Sequence, residues 1–217
     1  MRSGLGVGQL FGKAPPREVL FRVRIGKRIL DLERNMQDSY QEMKRLATFD
    51  YLTEVWNRRV LLEQLEKEWD RSIRDGKALS VVLVEIDDFE QFKDHYGHAL
   101  GDRVMVHLSR LLLEMVRHYD GIGRYRGEEF LLFFPGCDEK QGYQITERLR
   151  KEVESRPLKE QNQPLKITAS FGGTTFLPDR CRCNVPHLLK VTDEALYEAK
   201  RAGKNRVTWL PAIEHIH

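Results

Sequence analysis

The stretch Ile122-Gly-Arg-Tyr-Arg-Gly-Glu-Glu-Phe-Leu-Leu-Phe-Phe134 decides the fold, because it places two short apolar runs around a polar turn. The runs 122–125 and 130–134 predict two adjacent strands, and Arg126-Gly-Glu-Glu129 between them predicts a β-hairpin with an acidic tip. Hairpin tips are often acidic simply because solvent surrounds them. The tip alone therefore leaves open whether it is a functional site or an ordinary solvated turn.

A buried strand upstream of the hairpin also ends in acidic residues. Ser80-Val-Val-Leu-Val-Glu-Ile86 is rich in β-branched residues, which predicts a strand, and Asp87 follows at its end. If the two strand ends meet at one sheet edge, carboxylates about 4–5 Å apart repel by roughly 3–4 kcal/mol per pair at an effective dielectric near 20. Such a cluster needs a cation, and carboxylate oxygens suit Mg²⁺, which in turn suits a nucleoside triphosphate.

Segments with the apolar spacing of helices alternate with strands along the rest of the globular part. The pattern predicts helices at about 58–74, 101–118, 139–154 and 186–202, and further strands at 166–171 and 206–210. A turn is predicted at Asp88 and Phe89, directly after the buried strand. This alternation, broken by one hairpin, predicts an α/β fold with a mixed central sheet and flanking helices.

The N-terminal part predicts a separate helical stalk. Residues 1–17 are rich in Gly and Pro and predict a flexible N-terminus, whereas 18–47 predict a helix and 48–212 the globular domain. Ser39 fills the single gap in an a/d heptad that otherwise consists of apolar residues, namely Ile25, Ile29, Leu32, Met36, Met43 and Leu46. A two-stranded coiled coil is the interpretation that we favour, and a single amphipathic helix lying on the domain is the alternative.

Composition and charge narrow the class of protein. Of 217 residues, 41% are hydrophobic and 32% are charged, which allows a packed core. A net charge of +3 is too weak to argue for nucleic acid as a partner. No apolar run approaches the roughly 20 residues of a membrane span, and the first residues do not form a secretory leader. The sequence therefore predicts a cytoplasmic protein that does not cross the membrane.

Four blocks of this sequence resemble the GGDEF family of diguanylate cyclases. Arg124-Tyr-Arg-Gly-Glu-Glu-Phe130 resembles the family signature, with Arg126 in place of its first glycine. The segment from Glu85 to Asp102 resembles DIDxFKxxNDxxGHxxGD, and Asp50-Tyr-Leu-Thr-Glu-Val-Trp-Asn-Arg-Arg59 resembles the opening DxLTxLxNRR. The segment from Asp193 to Arg206 resembles the closing ADxALYxAKxxGRNR. The match runs from about residue 48 to 210, in order, which makes it specific.

The resemblance implies a palm-like sheet related to that of adenylate cyclases, and a nucleotidyltransferase reaction. In the family, two GTP molecules condense into cyclic di-GMP and pyrophosphate across a homodimer, which the stalk would form here. The resemblance also implies a catalytic metal site for Mg²⁺, with Mn²⁺ as the alternative cation. Its ligands would be the carboxylates of Glu85, Glu128 and Glu129 and the carbonyl of Ile86. Glu128 would lie beside the attacking 3′-hydroxyl.

The groups that bind GTP are likewise implied by the resemblance. The amides of Asp88 and Phe89 would cradle phosphates, with Lys200 and Lys204 as cations for the β- and γ-phosphates. Lys204 stands where the family usually has arginine, so the charge is kept and the bidentate fork is lost. For the base, the resemblance implies Asp102 as an acceptor and Lys93 at a position where the family has asparagine. An amide donates and accepts, whereas an ammonium group only donates.

Arg117-His-Tyr-Asp120 matches the family's inhibitory RxxD site in sequence and in its distance from the signature. Arg117 and Asp120 would bind cyclic di-GMP and give product feedback. The departures at Lys93 and Arg126 leave a second hypothesis, in which the domain has lost catalysis and senses cyclic di-GMP or GTP. Methionines and Ser39 in the stalk predict weak pairing, on which a regulatory protein could act.

Overall fold

The computed structural model describes residues 16–160, 163–180 and 183–212, so that the flexible segment predicted for 1–17 lies almost wholly outside the described residues. The chain divides into two compact units, Met1–Arg45 and Leu46–His217. The elements in chain order are α1 (Pro16–Thr48), α2 (Arg58–Asp75), β1 (Leu79–Ile86), α3 (Phe89–Tyr96), α4 (His98–Met115), β2 (Gly121–Arg126), β3 (Glu129–Pro135), α5 (Glu139–Ser155), β4 (Leu158–Glu160), β5 (Gln163–Leu165), β6 (Ala169–Phe176), α6 (Val185–Arg201) and β7 (Val207–Pro211).

The second unit is built on a five-stranded sheet in the order β2-β3-β1-β6-β7. The neighbours β2–β3, β3–β1 and β1–β6 are antiparallel, whereas β6–β7 is parallel. The short strands β4 and β5 form a separate hairpin. The predicted class, an α/β fold with a mixed central sheet and flanking helices, is therefore confirmed.

Alternating side chains of β1 point into two different cores, one on each face of the sheet. Val82 and Val84 pack in the core that α4 and α5 cover, and Val81 and Leu83 pack in the core that α2 and α6 cover. Because both faces are covered, β1 is buried along almost its whole length, which explains its continuous apolar sequence. The strand ends at Ile86, and this end carries the acidic residues of the site.

Several predicted boundaries are wrong for identifiable reasons. The turn predicted at Asp88 and Phe89 is present at Asp87 and Asp88, but it leads into helix α3, which was not predicted, and the following helix α4 occupies 98–115 rather than 101–118. The strand predicted at 166–171 is β6 at 169–176, whose two central residues are Gly172 and Gly173. A Cβ on Gly172 would lie 2.0 Å from the backbone nitrogen of Leu196, so α6 packs directly on this strand. Glycine weakens the strand pattern but permits that packing.

The first unit consists of the helical residues up to Arg45, which belong to α1. Its heptad positions are exposed in the single chain, with exposed fractions from 43% at Ile25 to 72% at Met36. An exposed apolar seam of this kind, interrupted by Ser39, is what a coiled coil would cover. The pairing of two such helices stays a prediction. None of the helices that the structure describes is long and apolar enough to cross a membrane.

Candidate active site

The acidic residues at the ends of β1 and β3 meet at one edge of the sheet. Glu85 on β1 and Glu129 on β3 are direct partners across the antiparallel pair, and their side chains are only 16% and 13% exposed. Glu128 precedes Glu129 in the hairpin turn and lines a cleft together with Glu85 and Ile86. The structure thus places Glu129 beside Glu85, and Glu128 and Ile86 on the same cleft as Glu85.

Each of the two paired carboxylates is bound by a basic side chain of the same domain. Lys200, in the last turn of α6, forms an ion pair with Glu85. Arg126 donates from Nε to Oε2 of Glu129 at 2.6 Å and also binds Asp193 on α6. Burial raises the pKa of Glu129, and the nearby charges of Glu85 and Asp193 act in the same direction, although Arg126 opposes them.

The oxygen ligands at this edge are of the type that Mg²⁺ prefers, but they are not arranged around a common metal position. Within the described part of the chain, no group of three or more His, Cys, Asp or Glu side chains is placed to hold a metal ion. The available ligands are carboxylate oxygens and the Ile86 carbonyl, which are the ligands that Mg²⁺ prefers. Because Lys200 and Arg126 already bind Glu85 and Glu129, a metal ion that takes both carboxylates has to share their charge with these cations or displace them.

The turn between β1 and α3 lines the cleft. Asp88 has φ of 55°, in the left-handed region, and directs the chain into α3 at Phe89. The first amide groups of a helix have no partners within the helix, so they can bind an anion. Lys204 pairs with Asp88 at the rim. The cleft has a volume of about 240 Å³ and is lined by Glu85, Ile86, Asp87, Asp88, Phe89, Glu90, Gln91, Glu128, Lys200 and Lys204.

The residues suggested for guanine lie on α3 and α4. Lys93 on α3 donates to Glu90 at 2.6 Å and its Nζ lies 4.8 Å from the centre of the Phe89 ring. Its aliphatic stem crosses Gly101 so closely that a Cβ there would lie 2.8 Å from Cγ of Lys93. Asp102 follows Gly101 and is exposed. The glycine thus allows Lys93 to lie beside the Asp102 turn of α4.

The RxxD residues form a turn between α4 and β2, with different roles for the two side chains. Asp120 is buried, its Oδ2 accepts from the backbone nitrogen of Arg117 at 2.7 Å, and burial raises the pKa of its carboxyl. The Arg117 guanidinium lies against Tyr119, donating to its hydroxyl at 2.7 Å, and lines a second cleft of about 540 Å³. The carboxylate of Asp120 therefore shapes the turn, and Arg117 supplies the charge.

One residue of interest was not predicted from the sequence, and another was named there without a role of its own. Arg148 on α5 lines the same cleft as Arg117 and donates to the carbonyl of Met115 at 3.2 Å. No sequence signal indicated it, because one arginine on a charged helix is unremarkable. Asp87, one of the acidic residues expected at the end of the buried strand, is engaged by Thr168, Ser170 and Asn205.

Comparison with known sequences identifies a family. The family model described as "Diguanylate cyclase, GGDEF domain" matches residues 47–206. The chain is also 36% identical over 167 residues to diguanylate cyclase DgcP of Pseudomonas aeruginosa, a match that covers 77% of this chain and 24% of DgcP. The chain therefore spans about a quarter of the length of that relative.

Solved structures of similar fold include two that bear on the site and the stalk. The coiled coil and GGDEF domain of DgcB from Caulobacter crescentus, in complex with c-di-GMP, gives a TM-score of 0.74 at 27% identity, covering 88% of this chain and 99% of that one. Diguanylate cyclase SiaD, in complex with its activator SiaC from Pseudomonas aeruginosa, gives 0.72 at 33% identity, covering 89% and 74%.

Proposed function

Because this chain belongs to the GGDEF family of diguanylate cyclases, we propose that it condenses two molecules of GTP into cyclic di-GMP. Each GTP offers its ribose 3′-hydroxyl to the α-phosphate of the other. Two P–O bonds form, two pyrophosphates leave, and the two hydroxyl protons are released. GTP as the substrate places this activity in the cytoplasm.

The observation that carries the proposal is the pairing of Glu85 with Glu129 at the sheet edge, beside a cleft lined by two lysines. Carboxylates suit a divalent cation, and lysines suit the phosphates that accompany it. An edge with acids alone would indicate only a cation site. The combination within one small cleft favours a metal-bound nucleoside triphosphate.

The metal ligands in this proposal are Glu85, Glu128, Glu129 and the carbonyl of Ile86. Mg²⁺ held there, or Mn²⁺ in its place, would neutralise charge on the α-phosphate and make the 3′-hydroxyl more acidic. Glu128 lies at the hairpin tip and can accept the proton of that hydroxyl. The carboxylates of this site would then serve both metal binding and proton transfer.

The cations of the cleft exchange their partners when substrate binds. Within the domain, Lys200 pairs with Glu85 and Lys204 pairs with Asp88. The β- and γ-phosphates carry more charge than these carboxylates, so both ammonium groups turn to them. The amides of Asp88 and Phe89, at the start of α3, cradle the same phosphates. Together these groups favour departure of pyrophosphate.

For the base, we propose that Asp102 accepts from the guanine N1–H and N2–H groups. The Lys93 ammonium group can only donate hydrogen bonds, so it would donate to O6 or N7 of guanine. Lys93 is already held by Glu90 and the Phe89 ring, which limits its reach. Discrimination against ATP therefore rests mainly on Asp102, since adenine offers no donor at N1.

Product feedback is proposed at the cleft of Arg117. Arg117 and Arg148 both line it, and two guanidinium groups suit the two phosphates of cyclic di-GMP. The Asp120 carboxylate accepts a hydrogen bond from the backbone nitrogen of Arg117 and so holds that backbone in place. The related DgcB domain was solved in complex with c-di-GMP, which supports a ligand of this class.

The reaction needs two domains that face one another, and we propose that α1 pairs them as a homodimer. Its apolar heptad is exposed in the single chain and would be covered by the same helix of a partner. A regulatory protein acting on this helix is a further part of the proposal. SiaD, which is bound by an activator, is a precedent for control by a partner.

A second candidate function is a sensor that binds cyclic di-GMP or GTP without turnover. The ion pairs of Arg126 and Lys200 with the two acidic residues favour it, because they leave no ready metal site within the described residues. The retention of Glu85, Glu128 and Glu129 favours the cyclase. A sensor that does not turn over GTP would not need three acidic side chains that repel one another at one sheet edge.

The deciding experiment is incubation of the full chain with GTP and Mg²⁺, with cyclic di-GMP and pyrophosphate separated by chromatography. We expect both products, and we expect Glu128→Ala to abolish them while its thermal unfolding stays that of the wild type. Glu66→Ala, at an exposed glutamate of α2, is the matched control. Binding of cyclic di-GMP without any synthesis would instead establish the sensor.

A further inference from the structure

We propose that Asn205 is a positioning residue which, together with Asp87, holds Lys204 in place for the triphosphate. This inference rests on the proposed function, since the phosphate-binding role of Lys204 belongs to it. Lys204 lies in the short loop between α6 and β7, outside any helix or strand. A long flexible side chain on an unsupported loop would be a poor phosphate ligand, so the loop itself must be fixed.

The backbone of this loop takes a conformation that needs support. Lys204 has φ of 62° and Asn205 has φ of 46°, so two successive residues with side chains lie in the left-handed region. Asparagine tolerates this region better than most residues, but lysine does not. The backbone nitrogen of Lys204 donates to the carbonyl of Ala199 at the end of α6 at 3.1 Å, and two further supports come from β1 and α5.

The first support is Asp87, at the end of β1. The backbone nitrogen of Asn205 donates to Oδ2 of Asp87 at 3.0 Å. Asp87 is itself fixed by the hydroxyls of Thr168 at 2.7 Å and Ser170 at 2.6 Å. A carboxylate with this many partners has no freedom to reorient. It ties the loop to the same strand that carries Glu85.

The second support comes from α5 through the side chain of Asn205. Its Oδ1 accepts from Arg150 at 2.9 Å, and its Nδ2 donates to Glu154 at 2.9 Å. Arg150 and Glu154 bind each other at 2.8 Å, which orients both groups. The helix is a firm anchor, because a Cβ on Gly142 would lie 2.5 Å from Oγ of Ser80 on the sheet.

Asn205 therefore joins the strand that carries the metal ligands, the helix α5 and the residue that binds phosphate. Asp87 accepts a hydrogen bond from the backbone nitrogen of Asn205, whereas Arg150 donates one to its side chain. With both in place, Lys204 points into the cleft and meets Asp88. Without them, the loop can leave the left-handed conformation and withdraw the ammonium group.

The test uses the full chain and the α,β-methylene analogue of GTP, which cannot release pyrophosphate. Its affinity in the presence of Mg²⁺ is measured by calorimetry. Asn205→Gly keeps the left-handed backbone accessible and removes only the side-chain contacts with α5. We expect about tenfold weaker binding of the analogue. Arg150→Ala should have a similar effect, and Arg150→Lys a smaller one because it keeps a charged donor.

A second comparison separates positioning from general loss of structure. In a Lys204→Ala background, Asn205→Gly should cause no further loss of affinity, because it acts through Lys204. Additive losses in that background, or unchanged affinity of Asn205→Gly alone, would overturn the inference. Turnover of GTP by the wild type is measured in parallel. Absence of turnover with the affinity pattern intact would refute the proposed cyclase but not the positioning role.

Discussion

Glu85 and Glu129 lie directly opposite each other on β1 and β3, and each is paired with a different cation. Lys200 reaches Glu85 from α6, and Arg126 reaches Glu129 from the hairpin tip. Both cations belong to the domain, so the repulsion between the two acids is offset before any metal binds. A metal ion therefore competes with side chains rather than entering an empty acidic site.

Replacing Arg126 by glycine should lower the Mg²⁺ requirement. The ion pair with Glu129 is partly exposed and is worth up to about 1 kcal/mol, so we expect a two- to fivefold lower half-saturating Mg²⁺ concentration. Binding of Mn²⁺, followed by electron paramagnetic resonance with the non-reacting GTP analogue, gives the same quantity without turnover. Unchanged metal affinity in Arg126→Gly would contradict the competition.

Asp193→Asn is a control, because we do not expect it to lower the Mg²⁺ requirement. Asp193 on α6 binds a second nitrogen of the same guanidinium and so shares the charge of Arg126 with Glu129. Removing that charge leaves Arg126 with Glu129 alone, and the Mg²⁺ requirement should stay the same or rise. A lower requirement in both variants would point to a general loosening of the hairpin.

Removing the charges of the second cleft should abolish product feedback. Arg117→Ala and Arg148→Ala should each weaken binding of cyclic di-GMP at least tenfold, because a charge-assisted hydrogen bond contributes about 1.5–3 kcal/mol. Progress curves of turnover should then become linear. Arg110→Ala, at an exposed arginine of α4, is the control. Equal product affinity in all variants would contradict the assignment.

The stability of the domain should depend on the ionisation of Asp50. Burial opposes its charge, but hydrogen bonds from Thr53 and the charge of Arg124 outweigh it and lower the pKa of Asp50. A carboxyl with a lowered pKa stabilises the fold above its unfolded pKa, and that contribution is lost as the pH falls through the folded value. Asp50→Asn should therefore cost about 1–2 kcal/mol at pH 7, and less near pH 3, where the carboxyl of the unfolded chain is largely protonated. Urea titrations at both values measure this, and an equal cost at both would refute it.

The sequence predicted the parts of the site that depend on local pattern. The acidic ends of β1 and β3 were expected at one edge because each strand has an unambiguous apolar run, and the register places Glu85 against Glu129. The order of the strands in the sheet was not predicted. Helix α3 was missed because its eight residues are too short to show a helical period.

Contacts between distant residues could not be predicted from pattern alone. Arg126 and Asp193 are 67 residues apart, and neither has a sequence feature that indicates the other. The same holds for Asn205 and Asp87, which are 118 residues apart. Such pairs depend on how the helices pack on the sheet. That packing in turn depends on close approaches, such as that of α6 to Gly172.

Catalysis should depend on the helix α1, since neither GTP can react without a partner domain. Pairing through a coiled coil gives two domains a local concentration in the millimolar range, far above any enzyme assay. Ile29 and Leu32 are 50% and 59% exposed in the single chain, so glutamates there would repel across the seam without breaking the helix. The double variant should sediment as a monomer and lose most activity at nanomolar concentration, with partial recovery at high concentration. Lys27→Glu with Arg34→Glu, on the outer face of the same helix, is the matched control and should stay dimeric and active. A seam variant that is monomeric yet fully active at nanomolar enzyme would show that α1 is not the dimerisation device.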